Sequence, residues 1–236
     1  MTTQDRPTPA GAWARINRAG SAERLAWTWQ GETIAVGLDR AGQGPPILLL
    51  PALSSISTRR EMRPLQQRLA ARFETLAVDW PGFGNQPRPA LDWTPDAYSA
   101  FLSFVLKSIV PHPHAVIAAG HAATYALKYV AGQPESVGRV VLIAPTWRGP
   151  LPTMVGGHRP LFDRLCRLID RPVIGPLIYQ LNVNGPVVRW MGAGHVYGNA
   201  RFLNSERLAE KLDVVRAPGA RFSSIRFVTG KLDPAH

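Results

Sequence analysis

Residues 118–124, Ala-Ala-Gly-His-Ala-Ala-Thr, follow the apolar pair Val116-Ile117 and run into the helical spacing of YALKYV. A strand that breaks sharply into a helix presents the residue at its tip and turns backbone N–H groups toward whatever lies above it, which suits a nucleophile or an anion-stabilising pocket. The middle of Gly120–Thr124 is Ala122, a methyl without oxygen or sulfur that can form no covalent intermediate. His121, beside it, is the one obvious general base in the chain, able to act directly on water or on a substrate proton. Ser54 and Ser55 follow the apolar run PPILLLPAL. Their hydroxyls can hydrogen-bond a ligand, but without a base they are poor nucleophiles.

The remaining chemistry-bearing residues read as ordinary. The single cysteine, Cys166, forms no intramolecular disulfide and reads as a small apolar filler. His112 and His114 flank a proline in a turn, and His158 and His195 have no metal-ligand spacing to Cys or carboxylates, so neither metal nor cofactor is expected. Trp147 follows an apolar strand and can line a pocket or pack against helices.

The elements that must position these residues follow from periodicity. The chain has 236 residues, 45% of them apolar, enough for one cored domain with an inserted lobe. Residues 1–20 read as a polar arm without a signal-peptide core. Leu25, Trp27, Trp29, Ile34 and Val36 alternate around Gln30-Gly31, an antiparallel hairpin. PPILLLPAL is a strand buried on both faces. Met62, Leu65 and Leu69 share a helical stripe, with Ser57 or Thr58 as cap. Thr94-Pro95 opens another helix, and HAVIAAG and GRVVLIAPTW are further strands. Strands alternating with helices over about residues 46–146 give a parallel sheet covered on both faces.

After Trp147 the pattern is helical with Pro and Gly breaks, a lid on the sheet. Within it PLFDRLCRLIDRP carries an apolar stripe of Leu161, Leu165 and Leu168 and a basic one of Arg164, Arg167 and Arg171; a solvated cap face over an apolar core is the favoured reading, and weak contact with anionic membranes the alternative. The formal charge is +11, but its arginines are dispersed, with no zinc spacing and no aromatic–basic interleaving, so no nucleic-acid partner is expected. The expected setting is cytoplasmic; the oligomeric state is left open.

These residues resemble the α/β-hydrolase superfamily. ILLLPAL resembles the strand before its oxyanion loop, VDWPGFGNQPRP its Asp-x-Pro-Gly-x-Gly loop, AAGHAAT its nucleophile elbow, VVLIAPTW the next strand, and HVYGN a cap motif. The resemblance implies an α/β fold: a mostly parallel central sheet with an N-terminal antiparallel hairpin and an inserted helical cap. The expected division is an arm over 1–23, a core over 24–149 and a helical cap over 150–236. It also implies that Asp79 holds its loop, and that the N–H groups of Ala123 and Leu53 form the oxyanion hole.

The departures bear on activity. The elbow pattern Gly-x-Ser-x-Gly reads Gly-His-Ala-Ala-Thr here, so Ala122 stands at a degenerate nucleophile position. A serine-to-alanine knockout accounts for Ala122 but not for Thr124; natural variation accounts for both. Pro51 stands where the family has the His of a His-Gly pair. Asp233 fits the family's acid in Gly-x-x-Asp if Ile225–Val228 is a strand. The rival reading makes that stretch a helix stopped by Gly230, with Phe222, Ile225 and Val228 on one face, and the resemblance of the HVYGN…GARF…FVTGKLDP run to the family's cap segments favours it. On either reading the chain ends at His236 before the family's C-terminal strands and catalytic-His loop, and the strand around Val140–Ile143 lacks a neighbour. The expectation is a hydrolase relative without serine-hydrolase activity that binds an apolar or carbonyl-bearing small molecule between core and cap. The alternatives are a hydrolase or lyase using non-covalent acid/base chemistry and a protein–protein interaction module.

Overall fold

The Gln30-Gly31 pair does what its types dictate. Both residues adopt positive φ, 50° and 82°, the geometry of a two-residue hairpin turn whose twist matches its strands. It joins β1 (Ala22–Trp29) to β2 (Glu32–Ala41), with Trp27 opposite Ile34 and Leu25 opposite Val36. The computed structural model describes residues 22–183, 185–191 and 204–234. The expected arm therefore lies almost wholly outside the described residues, as do His195, the HVYGN segment and His236.

Behind the hairpin, β3 (Pro46–Leu50), β4 (Glu74–Val78), β5 (Ala115–Ala119) and β6 (Val140–Ile143) run parallel, and the sheet order is β1-β2-β4-β3-β5-β6. Leu48, Leu49 and Leu50 of the inner strand β3 are fully buried, as a strand covered on both faces requires. On one face lies the main core, rich in Trp, Tyr and Phe; on the other, Met62, Leu65 and Leu69 pack over Ile47, Leu49 and Ile117. The α/β architecture with a mostly parallel sheet and leading hairpin is as expected. So is the position of β6, an edge strand that leaves Val141 and Ile143 exposed.

Helix α1 (Arg63–Leu69) follows a 3₁₀ turn over Arg59–Met62. The expected cap is corrected here: Thr58 makes no cap bond, because its Oγ1 donates to Asp79 Oδ1 at 3.0 Å. In α2 (Pro95–Phe104) the expected start is found, with Thr94 accepting from the Ala97 N–H and Pro95 in the first turn. Helix α3 (Ala122–Gly132) follows β5.

Beyond Trp147 come α4 (Pro150–Val155), α5 (Pro160–Asp170), α6 (Ile174–Asn182), α7 (Gly185–Met191), α8 (Ser205–Arg216) and α9 (Ala220–Val228). Helix α9 packs against α4, α5, α6 and α8 and ends at Gly230 with φ 76°. The helical reading of residues 220–228 is thus the one realised, and the strand reading of Ile225–Val228 is not. The amphipathic face expected of α5 is also corrected. Phe162, Cys166 and Ile169 are buried, whereas Leu161 is exposed and Leu165 and Leu168 are half-buried. No helix of the described residues is long and apolar enough to cross a membrane.

Candidate functional site

The turn after β5 is built by one residue. Gly120 takes φ 52°, a left-handed conformation that costs an L-residue energy and costs glycine little. His121 then has helical angles, φ −69° and ψ −21°, and Ala122 is already the first residue of α3. The expected tip at Ala122 is corrected accordingly: the bend falls two residues earlier, and Ala122 is fully buried. The small residues two positions either side of the bend are Ala118 and Ala122, both fully buried. Neither Gly120 nor Ala122 offers a nucleophilic atom.

The same shift moves the N–H groups. Ala123 N donates to Gly120 O at 3.2 Å, so the N–H expected to face a cleft is spent inside the turn. Thr124, at the position expected to be small, donates its Oγ1 to Thr146 O at 2.9 Å. Leu53 is fully buried in the main core. Its loop does meet the turn: a Cβ added at Gly120 would lie 3.1 Å from the Ala52 Cβ, and Pro51 O accepts from Trp80 Nε1 at 3.0 Å. Ser54 is half-buried and its carbonyl accepts from Ser57 N. Ser55 Oγ is buried without a hydrogen-bond partner. Trp147 is 51% exposed and so does not close the site.

What the fold assembles instead is a pair far apart in the sequence, His121 and Asp233. His121, buried, places Nε2 3.2 Å from Leu232 O and 3.4 Å from Asp233 Oδ1. A carbonyl oxygen only accepts, so Nε2 carries the hydrogen and Nδ1 is left as the acceptor. Nδ1 is buried and has no hydrogen-bond partner among the described residues. Asp233, also buried, accepts from Gly149 N at 2.9 Å. Burial lowers the His121 pKa, opposed by the Leu232 carbonyl and the Asp233 charge.

Around this pair stands a ring of aromatic side chains. His121 meets Tyr125 and Phe227 edge-on, at 6.1 and 5.8 Å between centroids. Tyr125 meets Tyr98 at 5.8 Å, and Tyr98 stacks on Trp93 at 5.8 Å. The Tyr125 hydroxyl donates to Leu232 O, while the Tyr98 hydroxyl and Trp93 Nε1 are buried without hydrogen-bond partners among the described residues. Burial drives the Tyr98 pKa well up, so its hydroxyl keeps its proton. Trp93 and Gly230 also line an open cleft of about 460 Å³ with Asp92, Thr94, His158 and Lys231.

Asp79 plays the role implied by the resemblance. It is fully buried, accepts from Thr58 Oγ1 and from Arg59 N at 2.6 Å, and pairs with the Arg59 guanidinium. A Cβ at Gly84, whose φ is 74°, would lie 2.4 Å from this carboxylate, which is why the Pro-Gly-x-Gly loop has glycine there. Among the described residues no group of His, Cys, Asp and Glu is placed to hold a metal ion.

Sequence reasoning named both His121 and Asp233 but not their contact, nor Tyr98 as part of the site. The missed signal was Gly120 itself: a glycine directly after a strand is the residue best suited to the left-handed bend.

Comparison with known proteins agrees with this architecture. Among solved structures the chain is similar to Cfl2 from Burkholderia cenocepacia (TM-score 0.67, 20% identity, 97% of this chain and 74% of that one). It is similar also to the epoxide hydrolase CorEH (0.64, 17%, 89% and 74%) and to the haloalkane dehalogenase DatA from Agrobacterium tumefaciens C58 (0.60, 17%, 87% and 67%). At these identities the likeness is one of fold. No curated protein sequence matches. The profile described as the alpha/beta hydrolase family matches residues 47–234. With the sheet, the bend and the Asp79 loop in place, the chain belongs to the alpha/beta hydrolase family.

Proposed function

We propose that this family member binds an apolar, carbonyl-bearing small molecule between its sheet and its helical segment, which acts as a cap, without serine-hydrolase chemistry. The observation that carries the reading is the pair of buried, partnerless polar atoms, Tyr98 Oη and His121 Nδ1, in one aromatic cluster. Buried polar groups are rarely left unpaired, since each costs about 1–3 kcal/mol. A protonated phenol offers a donor to a carbonyl oxygen, and the surrounding rings suit an apolar body. The lack of covalent chemistry rests on Gly120 and Ala122, neither of which has a reactive atom.

The test joins activity and binding. A fluorophosphonate probe should leave the purified protein unlabelled, and p-nitrophenyl esters should not be turned over; labelling at any serine ends the non-covalent reading. A panel of apolar ketones and esters should raise the melting temperature, with the gain reduced in Tyr98→Phe. Equal gains in wild type and Tyr98→Phe would remove the hydroxyl from the site.

The contact between His121 and Asp233 favours a second reading, acid/base catalysis without a covalent intermediate. The Leu232 carbonyl fixes the ring with Nε2 protonated and Asp233 lies beside that nitrogen, leaving Nδ1 as a base. For any substrate found to be turned over, His121→Asn should then abolish kcat; unchanged turnover rejects it.

A further inference from the structure

Helix α5 spends both of its acidic residues on other elements. Asp163 pairs with Lys231 at 2.9 Å, and Asp170 pairs with Arg226 at 3.0 Å. Its exposed arginines Arg164, Arg167 and Arg171 enter no ion pair among the described residues. They stand on the side opposite Phe162, Cys166 and Ile169, which anchor the helix, and so form an exposed positive strip; of its members Arg167 also acts at longer range on Asp163.

In sequence the strip runs through Arg171-Pro172 into exposed apolar residues. Leu161, at the start of α5, is 65% exposed. After the Arg171-Pro172 corner come Val173 at 80%, Ile174 at 45% and Leu177 at 61%. At 100° per residue Val173, Ile174 and Leu177 share one outward stripe of α6, whereas Gly175 on its other side is buried against the Ile169 carbonyl. Packing therefore holds Ile174 and Leu177 of α6 in solvent, while Ile178 packs on the cluster of Cys166, Ile169 and Ile225. Scattered exposed apolar residues are common, but an exposed apolar stripe that follows directly in the chain on arginines outside any ion pair is the pattern of a surface that lies on a lipid headgroup layer.

We propose that the α5–α6 face docks on an anionic phospholipid surface, its arginines meeting headgroup phosphates and its α6 stripe entering the acyl boundary. The occupant is chosen by charge: a neutral protein groove would satisfy the aliphatic stripe and leave three arginines desolvated without counter-charge, whereas an anionic bilayer satisfies both. The +11 net charge of the chain adds long-range attraction but does not select this face.

The experiment is flotation of the full chain with vesicles of phosphatidylcholine alone and of phosphatidylcholine mixed with phosphatidylglycerol. Binding is expected to the mixed vesicles only. Arg164→Gln/Arg167→Gln/Arg171→Gln should weaken it about a hundredfold, at roughly a factor of five for each positive charge removed. Ile174→Asn/Leu177→Gln, which leaves the charge intact, should weaken it about tenfold or more. All these side chains are exposed, so the variants should keep the wild-type circular dichroism and melting temperature. Binding unchanged in the Ile174/Leu177 variant would reduce the effect to dispersed charge and overturn the proposal. So would no binding by wild type, or a dimer by sedimentation that the same variant abolishes without any vesicle binding.

Discussion

His121 Nε2 and Asp233 Oδ1 lie 3.4 Å apart in the buried centre of the molecule. One comes from the turn after β5 and the other from the turn after α9. The contact ties the sheet to the helices that follow Trp147, and Asp233 strengthens the tie by accepting from Gly149 N.

Acid should loosen this tie. Burial holds the His121 pKa below its ordinary value, so the unfolded chain takes up a proton that the folded one refuses. Stability is then full above the unfolded pKa of about 6.5 and falls as pH drops below it, until the lowered folded pKa is reached. One proton gives a slope of at most about 1.4 kcal/mol per pH unit. Urea unfolding from neutral pH down to about pH 5 should show this slope in wild type and a flatter one in His121→Gln.

Gly120→Ala should test where the bend lies. A side chain at φ 52°, with its Cβ 3.1 Å from that of Ala52, should cost about 1–2 kcal/mol of stability. Ala122→Gly, by contrast, changes the first residue of α3 and should cost less than the about 1 kcal/mol that glycine costs in a helix interior. Urea midpoints at constant m separate the two.

Arg59→Ala should be among the most damaging single changes. It leaves the fully buried Asp79 carboxylate without its cation, for an expected loss of about 3–5 kcal/mol. The paired change Arg59→Met/Asp79→Leu removes both charges and should recover part of that loss in a double-mutant cycle.

Cys166 should be silent in the native protein. It is buried, its Sγ lies 3.3 Å from Thr229 Oγ1, and burial pushes its thiol pKa up, so little thiolate is available. Ellman's reagent should release no colour from folded protein and one equivalent per chain after denaturation. Fast native labelling would mean that α5 and α9 separate readily.

The local elements were legible because local forces make them. The Gln30-Gly31 hairpin, the Thr94-Pro95 helix start, the β3 run and the stop at Gly230 each follow from backbone geometry and burial within a few residues, and so did the family fold. Three-dimensional packing decided the rest. The bend moved from Ala122 to Gly120 because β5 ends at Ala119 and glycine alone bears the left-handed angle cheaply. Thr58 left its cap for Asp79 because a buried carboxylate binds a hydroxyl more strongly than a solvated helix end does. Helix α5 chose Phe162, Cys166 and Ile169 over its leucines because α9 and α6 meet that side. Side-chain pattern sets which elements form; which face is buried, and which distant atoms meet at His121, depends on contacts that no short window of sequence contains.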